Sequence, residues 1–80
     1  MAQLDLNNIE KLEKLRNTVH EKVYTTYTCF EQDNEKYVQL DTYGKSDRDT
    51  PGKISQSIQL NRETAKFLVE LLSKEYEFEF

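Results

Sequence analysis

The chain has one cysteine, one histidine, one proline, two glycines and no tryptophan among its 80 residues. A lone cysteine, Cys29, cannot close an internal disulfide. Nothing therefore points to an oxidising compartment, and the cytoplasm is the default location. One histidine and one cysteine cannot complete a closed zinc site. Cys29 sits in a β-branched and aromatic stretch and reads as a small buried hydrophobe. His20 lies beside Glu21 at the end of an expected helix and reads as a surface or capping residue, not as the base of a Cys–His pair. Gly44 and Gly52 stand alone, so no glycine-rich phosphate loop is present. Asp47-Arg48-Asp49 resembles the start of an oxygen-ligand loop, but the remaining ligands and the bidentate Glu do not follow. No apolar run approaches the roughly 20 residues that span a bilayer. Residues 1–8 have neither the basic region nor the apolar stretch of a signal peptide. No catalytic group, metal site or cofactor emerges from these residues, and the expectation is a binding module, not an enzyme.

What is present is one small domain, residues 1–80, with 36% apolar and 32% charged residues. Five Tyr and four Phe supply its large apolar groups. A domain of this size hides only about 60% of its unfolded surface, so the core is expected to be thin and homodimerisation follows as an expectation. Net charge is −4, which disfavours simple attraction to duplex nucleic acid or an anionic membrane. The charge is uneven. Residues 44–66 hold five basic side chains (Lys45, Arg48, Lys53, Arg62, Lys66) against three acidic ones, while the other residues hold six basic against twelve acidic.

The expected fold class is α+β, in the order α-β-β-β-α, with a three-stranded antiparallel sheet and helices packed on one face. Asn7 and Glu10 fit a capping box, and Ile9, Leu12, Leu15 and Val19 form an apolar stripe, which predicts a helix over residues 8–21. Residues 22–31 are rich in Val, Tyr, Thr and Phe and read as a strand with two semi-apolar faces. Asp33-Asn34 marks a turn, and residues 36–43 alternate as the second strand of a hairpin. Residues 44–52 form a loop, residues 53–60 a third strand, and Asn61 caps a second helix with Ala65, Leu68, Val69, Leu72 and Tyr76 on its stripe.

Three surfaces are candidates for binding. The polar face of the sheet is expected to carry Tyr37, Gln39, Tyr43, Lys53, Ser55, Ser57 and Gln59; rings, hydroxyls and amides of this kind stack bases and donate to phosphates, although a solvated sheet face has the same composition. Lys45, Arg48 and Lys53 around the Pro51-Gly52 turn are placed to follow a phosphate backbone, or simply to keep a long connection hydrated. Tyr76, Phe78 and Phe80 alternate with Glu77 and Glu79; an extended tail would offer three rings on one side to a protein partner, and a frayed helix end is the plain alternative.

Residues 37–43, Pro51-Gly52-Lys53, Ile58-Gln59-Leu60-Asn61 and the helix from Arg62 together resemble the positive-cofactor-four family of small single-stranded-DNA-binding transcription coactivators. The resemblance covers residues 37 onward. It implies a dimer that grips single strands on curved sheet faces. The leading expectation is therefore single-stranded nucleic-acid binding through Tyr37, Gln39, Tyr43, Lys45, Arg48, Lys53 and Ser55. The competing one is an acidic protein-interaction module, a small inhibitor or regulator of the kind phages encode, acting through its surface or through Tyr76, Phe78 and Phe80. Salt separates them: phosphate binding weakens steeply as salt rises, and aromatic anchoring does not.

Overall fold

A computed structural model describes residues 1–44 and 52–79. The strands are β1 (Ala2–Gln3), β2 (Thr25–Gln32), β3 (Glu35–Tyr43) and β4 (Ile54–Leu60), and the helix is α1 (Arg62–Tyr76). They form one mixed sheet in the order β1-β4-β3-β2. The class is α+β, with one α-helix and four strands among the described residues. The expected helix over residues 8–21 and the three-stranded, purely antiparallel sheet are both corrected.

The hairpin of β2 and β3 closes through Asp33 and Asn34, whose φ angles are 54° and 67°. Two consecutive left-handed residues are what a two-residue hairpin turn of matching twist demands, and Asp and Asn tolerate that region better than other side chains. The turn fixes the register: Tyr27 faces Leu40, Cys29 faces Val38 and Phe30 faces Tyr37. β4 continues it on the far side of β3, with Val38 opposite Leu60, Gln39 opposite Gln59, Leu40 opposite Ile58 and Asp41 opposite Ser57. A register shift after Thr42 sets Tyr43 opposite Ile54, which leaves Ser55 as the extra residue.

The remaining strand, β1, is short and pairs in parallel with β4. Ala2 and Gln3 lie beside Ile58 and Gln59, and the Leu4 N–H donates to the Gln59 carbonyl at 3.0 Å. A single 3-10 turn, Leu6–Asn8, follows. Its cap is Asp5, whose carboxylate accepts from the Asn7 N–H at 3.0 Å and from the Asn8 side chain at 2.7 Å. Asn7 therefore lies inside a turn and does not cap a helix. The predicted helix over residues 8–21 is absent, and residues 9–24 run without regular structure. The reason is physical. An isolated helix of about 14 residues is marginal in water unless its apolar stripe meets a packed surface. Here Leu15 and Val19 are 102% and 97% exposed. With the helix gone, His20 stands in an exposed, irregular segment and not at a helix end. Lys11 and Glu13 approach to 3.6 Å in this segment.

α1 forms where expected. The Asn61 side chain accepts from the Thr64 N–H at 2.9 Å and covers one of the free donors of the first turn. Glu63 in the first turn and Lys74 in the last have the signs that suit the helix dipole. The helix ends on Glu77 at φ 56°, and the Phe78 N–H donates back to the Ser73 carbonyl at 3.1 Å. α1 meets chiefly the end of β4 and the 3-10 turn, and is not laid over the sheet. The buried Thr64 joins these parts, its hydroxyl donating to the Leu4 carbonyl at 3.4 Å. Among the described residues no hydrophobic side chain is buried; the buried residues are Asp41, Ser57 and Thr64. Cys29 is likewise exposed, against the expectation of a buried thiol.

Candidate nucleic-acid interface

Cross-strand partners share a face of a sheet, so the register sorts the side chains. One face carries Tyr27, Cys29, Val38, Leu40, Ile58 and Leu60. The other carries Thr26, Phe30, Tyr37, Gln39, Asp41, Ser57 and Gln59. Tyr24 and Tyr43 extend this second face beyond β2. The Tyr43 N–H donates to the Tyr24 carbonyl at 3.1 Å, and the Tyr43 hydroxyl lies 3.2 Å from the Thr26 hydroxyl.

Two aromatic pairs stand at its ends. Tyr24 and Tyr43 have ring centroids 5.3 Å apart at an interplanar angle of 54°. Phe30 and Tyr37 are stacked with centroids 5.4 Å apart. Both separations fall in the favourable range for ring pairs, worth about 0.5–1.5 kcal/mol each beyond their burial. Tyr37 and Tyr43 are six residues apart on β3, which separates the pairs by about 20 Å.

A hydrogen-bonded polar ladder fills the space between them. The Gln59 amide donates to Gln39 at 2.8 Å, and Gln39 donates to the Asp41 carboxylate at 2.9 Å. The Ser57 hydroxyl donates to the same Asp41 oxygen. A buried carboxylate needs donors of this kind to replace lost hydration. Both donors come from neighbouring positions of the sheet, so the ladder also locks the register of β3 against β4. Each amide has two N–H groups, and the ladder uses one of each.

At the Phe30 end, the Tyr37 hydroxyl donates to Glu35 at 2.8 Å. That bond, with smaller contributions from desolvation and from the charges of Glu35 and Asp33, raises the phenol above its ordinary pKa. At the opposite end stands the exposed Lys53, next to Ile54, the cross-strand partner of Tyr43.

Of the residues singled out from sequence, Tyr37, Gln39 and Tyr43 share one face. Ser55 is exposed at the register shift, where strand alternation no longer assigns it a side. Lys45, Arg48 and the Asp47-Arg48-Asp49 fragment lie outside the described residues, as does Phe80. The tail does not continue as a strand with its rings aligned. The left-handed Glu77 folds it back, and Tyr76 and Phe78 stack with centroids 5.5 Å apart, both exposed. Sequence reasoning missed Tyr24 and Phe30 as members of the face. The signal was the parity of Tyr24, Thr26, Thr28 and Phe30, readable once the two-residue turn sets the partner of each.

Among the described residues no group of three or more His, Cys, Asp or Glu side chains converges to hold a metal ion. No described helix is long and apolar enough to cross a membrane. No protein family, curated protein or solved structure matches the chain.

Proposed function

We propose that this protein is a non-catalytic single-stranded nucleic-acid-binding module whose contact surface is the polar sheet face. The observation that carries the reading is the pair of aromatic couples, Tyr24–Tyr43 and Phe30–Tyr37, on one face with a glutamine ladder between them. Rings supply stacking platforms that accept any base, and amides donate and accept at base edges. Lys53 beside the Tyr43 end, and the basic side chains of residues 44–66 generally, supply the charge that follows phosphates. The coactivator-family resemblance of residues 37 onward supports the same assignment.

The test is fluorescence anisotropy of a labelled oligothymidine titrated with the protein at low and moderate salt. Saturable binding that weakens as salt rises is expected. Tyr37→Ala and Tyr43→Ala should each weaken it roughly tenfold, since a stacked base is worth about 1–3 kcal/mol. Lys53→Glu should reduce the salt slope. Circular dichroism confirms that each variant keeps its fold. No binding at low salt, or unchanged affinity in both tyrosine variants, overturns the reading. The exposed Tyr76–Phe78 pair among Glu75, Glu77 and Glu79 then becomes the surface to test for protein recognition.

A further inference from the structure

Residues 9–24 tie one edge of the sheet to the other. They leave the 3-10 turn that follows β1 and enter β2, and β1 and β2 are the two outer strands of the order β1-β4-β3-β2. An extended segment of this length reaches about 50 Å, whereas four strands span only about 15 Å. The segment is far longer than its crossing needs. Residues 10–24 are exposed throughout, and Leu15 and Val19 stand wholly in solvent. The last residue, Tyr24, belongs to the ring-bearing face, where it pairs with Tyr43. The half that leads there, residues 14–24, carries Lys14, Arg16 and Lys22 against Glu21, in a chain of net charge −4. The first half holds Glu10, and Glu13 paired with Lys11. Among the described residues no ion pair engages Lys14, Arg16 or Lys22.

Resting on the nucleic-acid reading of the polar face, we propose that residues 9–24 are a strap that closes over the bound single strand. Lys14, Arg16 and Lys22 meet its phosphates, and Leu15 and Val19 cover its bases. The composition suits that occupant. A base stacked on Tyr24 or Tyr43 turns its other face to water, and an aliphatic side chain laid on that face removes apolar surface from both. Phosphates flank the bases at every step, so cations interleaved with aliphatic residues match a single strand along its length. The middle of the polar face is the Gln59–Gln39–Asp41 ladder. It gives Leu15 and Val19 nothing apolar to bury against until bases lie on it. The strap therefore orders only when the strand is present, which accounts for a segment that exposes its apolar side chains in the free chain.

The experiment is limited trypsin digestion, read by mass spectrometry, with and without saturating oligothymidine. In the free chain Lys14, Arg16 and Lys22 lie in exposed, irregular backbone and should be cut quickly. Binding should slow cleavage at all three at least tenfold. A second arm measures anisotropy against salt for two combined variants, Lys14→Gln with Arg16→Gln and Lys22→Gln, and Leu15→Ser with Val19→Ser. The first should flatten the slope of log affinity against log salt by about 2, at roughly 0.7 per phosphate contact on a single strand. The second should weaken binding at least threefold and leave the slope unchanged. All five side chains are exposed in the free chain, so neither variant disturbs the sheet. Binding that leaves the cleavage rates and the slope as they were overturns the strap and keeps the polar face as the site. No binding at low salt overturns both.

Discussion

Asp41 illustrates how a single residue organises this chain. It lies on the central strand, buried, with one carboxylate oxygen accepting from both Ser57 and Gln39. Removing the carboxylate leaves the buried Ser57 hydroxyl without that partner and breaks the ladder that fixes β3 against β4. Asp41→Ala should therefore cost about 1–3 kcal/mol, measured by urea unfolding. Asp41→Asn, which keeps an acceptor oxygen, should cost less. Tyr37 yields a second prediction at this scale. Its hydrogen bond to Glu35 favours the neutral phenol, so the folded pKa lies above the unfolded one. The contribution to stability is present below the unfolded tyrosine pKa of about 10 and is lost as pH rises through the folded value. Alkaline titration of tyrosine absorbance should show a late-ionising group that Tyr37→Phe removes and Glu35→Gln moves to lower pH. A titration curve unaffected by Glu35→Gln would contradict this cause.

At the scale of elements, local chemistry and packing part company. The hairpin is specified by its own turn, and α1 by its Asn61 cap, so both form from information within a few residues. The end of α1 is the exception in composition, because Glu77 takes a left-handed conformation that glycine adopts without steric penalty. Glu77→Gly should stabilise the protein by about 0.5–1 kcal/mol and raise its thermal midpoint in calorimetry. An unchanged or lowered midpoint would show that the Glu side chain has a compensating role. Residues 9–24 are the reverse case. Their apolar spacing suits a helix, yet spacing describes only the helix and not a surface to hold it, and Leu15 and Val19 meet none among the described residues.

Across the whole molecule, burial is inverted relative to an ordinary domain. Polar side chains are the buried ones among the described residues, and the apolar sheet face runs from half-buried at Val38, Ile58 and Leu60 to exposed at Tyr27 and Leu40. Hydrogen bonds locate and order the sheet, but net gains of about 1 kcal/mol per bond do not offset the entropy of ordering a chain. Apolar burial is the dominant favourable term in folding, and the single chain supplies little of it among the described residues. If the chain pairs, as its small size leads one to expect, thermal stability should rise with protein concentration, as mass action requires of a dimer. A midpoint independent of concentration would count against pairing.

The sequence by itself determined the three long strands, the turn between the first two, the final helix with its Asn61 cap, and the shared face of Tyr37, Gln39 and Tyr43. These follow from alternation, turn chemistry and capping, which act over a few residues. Only the tertiary structure decided that Ala2 and Gln3 add a parallel strand to β4, and that Tyr24 and Phe30 join the ring-bearing face as partners of Tyr43 and Tyr37. It also decided that Cys29 is exposed, that the tail folds back at Glu77, and that residues 9–24 are not helical. Each of these depends on which surface meets which, a long-range matter of packing that periodicity does not encode.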